Sequence, residues 1–301
     1  MDMSRGFITI ATGDKKYHEM AKTLVRSYKL TSASPVRFGV ITDDANDKFE
    51  EFDDVVLIKN ATRSYMDKID IMRYSPYDET IFIDSDCIAF NDLNIYWKDF
   101  GGGGQNIFSA YGKVFYEDSD RAWFKISETL QYKEQLKYSI DLHGGIYYFK
   151  KSKEVDAIYK VCIDISNNYK AFRFKDFRKP ADEPIIALAM AVNGAKPIDQ
   201  INDRFCFLRN AKKLRADFFG RRLEYWFNSS DITGGKLVHF GTSRTILPRY
   251  QIEKRKVDYE WMHKKKWNAF IGSAYLIAAY AESFVLCVRS SKKLLFKKSR
   301  I

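Results

Sequence analysis

Two aspartates separated by one residue, Asp84 and Asp86, follow the apolar run Thr80-Ile81-Phe82-Ile83. In an extended segment, residues i and i+2 point to the same side, so both carboxylates face one way. Such a pair can hold a hard divalent cation and leave positions open for diphosphate oxygens. The cation would then neutralise the charge that builds up on a departing diphosphate. The competing reading is a pair of strand-end residues making turns, because Asp-x-Asp tripeptides are common. The surroundings of the pair have to decide.

Those surroundings alternate between strands and helices. Phe7-Ile8-Thr9-Ile10-Ala11 reads as a buried first strand, broken at Thr12-Gly13-Asp14. Ala21, Leu24, Val25 and Tyr28 then carry the spacing of one apolar helix face. Val36 to Ile41 and Val55 to Ile58 are further strands, Tyr65 to Tyr74 is a short helix, and Thr80 to Ile83 delivers Asp84. This order predicts βαβ units and a parallel sheet. Ligands of such sheets bind beyond the carboxyl ends of the strands, where Ala11-Thr12, Thr42-Asp43 and Asp84-Ser85-Asp86 all lie. Downstream, Ile107 to Tyr111 and Ile146 to Phe149 read as strands. The segments around Val155 to Ile165 and Pro184 to Val192 read as helices, and Leu237-Val238 leads a last strand into His239. The glycines at 101–104 predict a loop.

Composition narrows the class. The chain has 301 residues, 46% hydrophobic and 30% charged, enough for a substantial core and too apolar for a disordered chain. Its formal charge of +11 is concentrated after residue 200, where 22 Lys/Arg meet 8 Asp/Glu. The basicity is therefore local. Cys87, Cys162, Cys206 and Cys287 form no CxxC pair, which suits a reducing compartment and speaks against a cysteine zinc site. The start runs into a strand without a signal-peptide pattern, so a cytoplasmic protein is expected.

Taken in order, the motifs resemble the GT-A glycosyltransferases, and most of all the retaining transferases of family 8. The resemblance rests on the stretch from Lys68 to Asp86, on Leu142-His143-Gly144-Gly145-Ile146-Tyr147-Tyr148-Phe149, on Asp182-Glu183 and on Val238-His239-Phe240. It implies a Rossmann-like α/β fold with a mostly parallel central sheet flanked by helices. It implies Asp84, Asp86 and His239 as ligands of Mn2+ or Mg2+, the imidazole favouring Mn2+. It also implies a nucleotide-sugar donor, UDP-glucose or UDP-galactose. Ala11 and Thr12 would face the nucleoside, Tyr17 would stack on the base, and Lys68 would sit near the sugar or phosphates. Ser85, Gly144, Gly145 and Gly241 would line the donor site, and Arg244 would grip the diphosphate. Asp182 would contact the transferred sugar. If transfer inverts the configuration instead, Asp182 or Glu183 is the general-base candidate. The chain departs from the family pattern at His143, which replaces an asparagine, and at Gly241 and Arg244, where glycine comes one position early and arginine stands for lysine.

The expected division is a catalytic domain over 1–250 and a basic helical extension over 251–301. Ala269 to Val288 carries one charge, Glu282, and basic clusters lie on both sides: Lys264-Lys265-Lys266 before it, Lys292, Lys293, Lys297, Lys298 and Arg300 after it. Charge on both flanks suits an in-plane helix at an anionic membrane surface better than a span, with packing on the domain as the alternative. Membrane contact would suit a lipid-linked acceptor; a glycan or protein acceptor is equally compatible. Competing classes are a basic nucleic-acid-binding protein, for which no motif is present, and a non-catalytic scaffold. A nucleotidyltransferase would need more glycine than Thr12-Gly13-Asp14-Lys15-Lys16 offers.

Overall fold

A computed structural model describes residues 3–101, 107–175, 179–209, 211–227, 229–265 and 269–298. The glycines at 102–104, Lys266 and Arg300 lie outside the described residues. The chain forms two compact units: Met1–Ala21, Val36–Ser85 and Asn94–Ile201 make the first, and Lys22–Pro35, Asp86–Leu93 and Asn202–Ile301 the second.

The first unit is a six-stranded sheet. Its strands are β1 (Arg5–Ala11), β2 (Arg37–Thr42), β3 (Asp54–Leu57), β4 (Glu79–Ile83), β6 (Phe108–Phe115) and β7 (Ser139–Lys150), in the order β3-β2-β1-β4-β7-β6. The pairs β1/β2, β2/β3 and β1/β4 are parallel, whereas β7 runs antiparallel to both β4 and β6. The mostly parallel sheet expected from the sequence is therefore present. Apolar side chains fill the central strands because both faces are covered; Ile8, Phe82, Tyr147 and Phe149 are fully buried in one cluster with Ile185, Ile186 and Leu188. That cluster also takes in the apolar face of α4 (Lys153–Asn167), whose N-terminus is capped by Ser152. The last three core residues belong to α5 (Asp182–Val192), which packs on β7. The expected helix over Tyr65 to Tyr74 is split into a 3-10 turn at Tyr65–Lys68 and one α turn, α2 (Ile71–Tyr74), with Asp70 between them. Helix α1 (Lys15–Thr31), whose residues from Lys22 onward belong to the second unit, buries Ala21, Leu24, Val25 and Tyr28 completely, as their spacing requires. Helix α3 (Ile95–Gly101) follows the tripeptide region.

The second unit holds two three-stranded sheets. One joins β9 (Lys212–Asp217), β10 (Arg222–Phe227) and β11 (Ser230–Ile232) in antiparallel order. The other sets β12 (Leu237–His239) between β5 (Cys87–Ala89) and β8 (Phe205–Phe207). Helices α6 (Pro248–His263) and α7 (Ala269–Lys298) complete it and pack on each other. An Arg255–Glu282 ion pair of 2.5 Å and the buried Ala279 and Ser283 mark the inward face of α7.

Candidate donor and metal site

Strand β4 stops at Ile83, and the amide of Asp84 donates 2.9 Å to the carbonyl of Gly145 on β7, so the acid is pinned where its strand ends. Its Oδ2 lies 2.8 Å from the ammonium of Lys68, and the same ammonium lies 3.4 Å from Oδ2 of Asp182. All three side chains are at most 14% exposed. Two carboxylates thus share one cation in a sheltered place, which leaves local negative charge. Lys68 is held by its own backbone, whose carbonyl accepts from the phenol of Tyr147 at 2.7 Å. That phenol is pushed well above its ordinary range, first by complete burial and then by Asp182.

Asp182 is the first residue of α5; the cap position is Ala181, with no side-chain cap bond. Asp182 is therefore not spent on capping its own helix. Glu183 is differently placed, with Oε1 accepting the amide of Gly144 at 2.9 Å. A Cβ on Gly144 would meet Glu183 Cγ at 2.5 Å and Asp182 Oδ2 at 2.9 Å, so only glycine lets the chain pass there. The amide of Gly145 donates to His143 Nδ1 at 3.2 Å, which fixes that nitrogen as an acceptor.

The loop after β1 is tied by two acids. Asp67 accepts from Thr12 Oγ1 at 2.8 Å and from the amides of Thr62 and Arg63 at 2.6 and 2.9 Å. Asp43 accepts from the amide of Gly13 at 3.0 Å and from Arg63 Nε at 2.7 Å. Burial works against the Asp43 carboxylate, yet the Gly13 amide and Arg63 hold it below its usual range. Ala11 is fully buried and pairs with Thr42. Tyr17 is half-buried, with the Lys16 ammonium 4.7 Å from its ring centroid.

In the second unit, His239 ends β12 between Cys87 of β5 and Phe207 of β8. Its Nε2 lies 2.9 Å from Oδ1 of Asp86, and its ring stacks on Phe207 at 5.0 Å. Asp86 Oδ2 accepts from Thr242 Oγ1 at 2.9 Å, and the Asp86 carbonyl accepts the amide of Phe240 at 3.1 Å. Gly241, at φ +76, takes the left-handed turn into a 3-10 turn at Thr242–Arg244. The guanidinium of Arg244 makes no ion pair or hydrogen bond among the described residues. An oxygen from each of Asp84 and Asp86 and a ring nitrogen of His239 lie within 4.8 Å of one another. With metal–ligand bonds of roughly 2.1 Å, ligand atoms sit about 3 to 4 Å apart, so small side-chain shifts would close an O, O, N set on one cation.

The positions singled out in sequence include two sets of contacts, Lys68, Asp84 and Asp182 with Gly144 and Glu183, and Asp86 with His239 and the Gly241–Arg244 turn; Ala11, Thr12 and Tyr17 stand apart, at the end of β1 and in the loop and helix that follow it. Sequence reasoning missed Asp67, Thr242 and Phe207. Thr242 lies between Gly241 and Arg244, both singled out, and could have been found as a hydroxyl three residues after a candidate ligand.

No protein-family profile matches the sequence, and no curated protein matches it. Among solved structures, the galactosyltransferase LgtC in complex with donor and acceptor sugar analogs is similar over 91% of this chain and 95% of that one, with 13% identity and a TM-score of 0.50. The chain has the GT-A fold. A structure of an active-site mutant of LgtC aligns over 78% of this chain and 86% of that one at 14% identity and TM-score 0.48. The apo bifunctional glycosyltransferase WbbM aligns over 70% of this chain and 41% of that one at 15% identity and TM-score 0.44. Within the GT-A fold, Asp84 and Asp86 stand at the carboxyl end of a central strand, where open α/β sheets place their ligands.

Proposed function

We propose that this chain is a metal-dependent glycosyltransferase that moves a hexose from a nucleotide-sugar donor to an acceptor hydroxyl. The observation that carries the reading is the grouping of the adjacent pair Asp84 and Asp86 with His239, a potential ligand from far downstream in the sequence. It is supported by the fold shared with a galactosyltransferase solved with donor and acceptor sugar analogs.

Asp84, Asp86 and His239 would hold Mn2+ or Mg2+. Such a cation, when bound, supplies positive charge to the leaving diphosphate. The protein's own groups do the rest. Thr242 and the stacked ring of Phe207 keep Asp86 and His239 oriented, and Arg244 offers a guanidinium suited to gripping phosphate oxygens in pairs. Lys68 offers an ammonium beside Asp84, and Asp182 a carboxylate that favours positive charge at an adjacent anomeric carbon. Ala11, Thr12 and Tyr17 would meet the nucleoside, and Ser85, Gly144, Gly145 and Gly241 would allow close approach of the donor. In this reading the donor is UDP-glucose or UDP-galactose and the configuration is retained. In an inverting enzyme Asp182 is the better base, because Glu183 already holds the Gly144 amide.

Among the described residues, no helix is long and apolar enough to cross a membrane. The extension after residue 250 would instead lie against an anionic surface on the cytoplasmic side, which suits a lipid-linked glycan acceptor. Donor hydrolysis across a panel of nucleotide sugars, with and without Mn2+, tests the proposal without knowledge of the acceptor. Metal-stimulated release of a nucleoside diphosphate from one donor supports it, and no release from any donor rejects it. The anomeric NMR signal of the product separates retention from inversion.

A further inference from the structure

The second unit contains a cleft of about 900 Å³ outside the metal-ligand cluster. Its wall carries Arg215, Arg222, Arg244, Arg249 and Lys256 against two acids, Asp217 and Glu253. Most of the opposite charges are accounted for. Lys256 lies 2.8 Å from Asp217 and 2.7 Å from Glu253, and Arg222 is held by Glu224 at 2.7 Å. Arg215 has only a long 3.9 Å contact to Glu224 and is 75% exposed. The guanidiniums of Arg244 and Arg249 have no ion pair or hydrogen bond among the described residues. The start of α6, Leu247 to Arg249, lines the same cleft, and no side chain caps it. A 16-residue helix therefore adds its positive end to unneutralised arginines.

The rest of the lining is apolar: Leu208, Leu214, Ile252 and Tyr280. Tyr280 belongs to α7, where it is one of four exposed large apolar residues at one helical spacing. Ile277 is 72% exposed, Tyr280 58%, Phe284 71% and Val288 38%, at the spacing of one helical stripe. The stripe lies opposite the inward residues Ala279 and Ser283. An apolar track thus begins in the basic cleft and continues along the exposed side of α7. A purely electrostatic partner would leave that track in water, and a purely apolar one would leave the arginines unanswered.

We propose that this cleft is a binding site for a phosphate-bearing amphiphile, with the phosphate between Arg215 and Arg249 and the alkyl chain along Tyr280 and Phe284. The site deepens the proposed contact of the C-terminal extension with an anionic surface by naming its recognition chemistry. Its test uses neither donor nor metal, so its failure leaves the transferase reading standing.

The test is flotation of the full chain with vesicles of phosphatidylcholine alone and of phosphatidylcholine containing about one-fifth phosphatidic acid, which raises surface charge. Binding is expected to the second and not the first. Arg215→Ala with Arg249→Ala, both on the surface, is expected to weaken binding at least about tenfold, since each arginine near an anionic surface contributes substantially. Ile277→Ser with Phe284→Ser, which leaves every charge in place, is expected to weaken it comparably, because the buried alkyl chain loses its track. Octyl phosphate should displace the protein from vesicles at concentrations where inorganic phosphate does not, as expected of a site that also accepts a free lipid-phosphate-linked molecule. Displacement by octyl phosphate only when it disrupts the vesicles would assign the site to the bilayer headgroup, which is still a phosphate amphiphile. Equal binding to both vesicle types, unchanged binding by either double variant that keeps native circular dichroism, or displacement by inorganic phosphate as effective as by octyl phosphate would each overturn the proposal. So would tighter binding to single-stranded RNA that the same arginine variant abolishes.

Discussion

The hydroxyl of Thr242 donates to Oδ2 of Asp86, which leaves Oδ1 of the same carboxylate facing the imidazole of His239 at 2.9 Å. One side chain thereby fixes the rotation of a metal-ligand candidate that reaches it from 156 residues away in sequence. Partners that orient ligands without touching the ion commonly change metal affinity by about 10–100-fold. Thr242→Val, close in shape but lacking the donor, is expected to raise the Mn2+ concentration for half-maximal donor hydrolysis by at least about tenfold. The saturated rate should change less. A metal titration of the variant checks this, and an unchanged half-point would remove Thr242 from the site.

Replacement of the ligands themselves has a different signature. Asp84→Asn, Asp86→Asn and His239→Ala are each expected to lower metal-stimulated hydrolysis by about two orders of magnitude or more, with saturating metal giving little rescue. Hydrolysis at each metal concentration provides the measurement. A His239→Ala enzyme that kept its full metal response would leave the two aspartates as the sole ligands.

Lys68 is the shared cation of Asp84 and Asp182, whose side chains are 13% and 6% exposed. Its removal leaves two sheltered carboxylates without their ammonium, a change that commonly costs about 3 kcal/mol. Lys68→Met is expected to lower the unfolding free energy by roughly 2–4 kcal/mol in metal-free buffer. Added Mn2+ should restore part of the loss, since a bound cation supplies the missing positive charge. Urea unfolding with and without metal tests both statements.

Gly144 leaves no room for a methyl group, which would stand 2.5 Å from Glu183 Cγ and 2.9 Å from Asp182 Oδ2. Gly144→Ala must displace the side chains of Glu183 and Asp182 and is expected to destabilise by about 1–3 kcal/mol. Activity at a temperature where the variant is fully folded should fall by at least tenfold, because positioning errors of an ångström are felt strongly in catalysis. Full activity in a folded variant would separate Asp182 from the reaction.

Glu253, on α6, is 3% exposed; burial pushes its carboxyl up to about 7, against Lys256 and the Phe218 amide, which favour the charged form. A carboxyl raised on folding stabilises the native state while it stays protonated. That contribution is complete below its unfolded value of 4.5 and is lost as pH climbs through about 7. The loss amounts to about 3 kcal/mol at most. The urea midpoint should accordingly drop between about pH 5 and pH 8, and Glu253→Gln should flatten that drop. Parallel pH profiles for the two proteins would refute the assignment.

Much of this was readable from sequence because the decisive patterns are local. The run Thr80 to Ile83 ends in an acid, and the Ala21–Tyr28 spacing gives one buried helix face. The strands β1, β2 and β4 are largely apolar runs, as strands covered on both faces should be, whereas the edge strand β3 leaves Val55 and Leu57 exposed. The strands β5, β8 and β11 have three residues each, too short to display any period. In β9 and β10 the charges of Lys212, Lys213, Arg215, Arg222 and Glu224 obscure the alternation. The tie of Asp67 to the loop after β1 gave no local sign, because it binds Thr12 across 55 residues. The amphiphilic character of the cleft escaped the sequence for a similar reason: Arg215, Arg249 and Tyr280 meet only once the chain has folded.

Strand β7 is the neighbour of β6 in the sheet and one of two partners of β4, and it also supplies the carbonyl that receives the amide of Asp84. A nascent chain that has emerged only as far as residue 138 therefore carries Thr80-Ile81-Phe82-Ile83 with one bare, apolar edge. During synthesis that edge is a place for two unfinished copies to stick together, and a waiting period for a chaperone to cover. The acid at its end acquires its anchor only after Gly145 has left the ribosome.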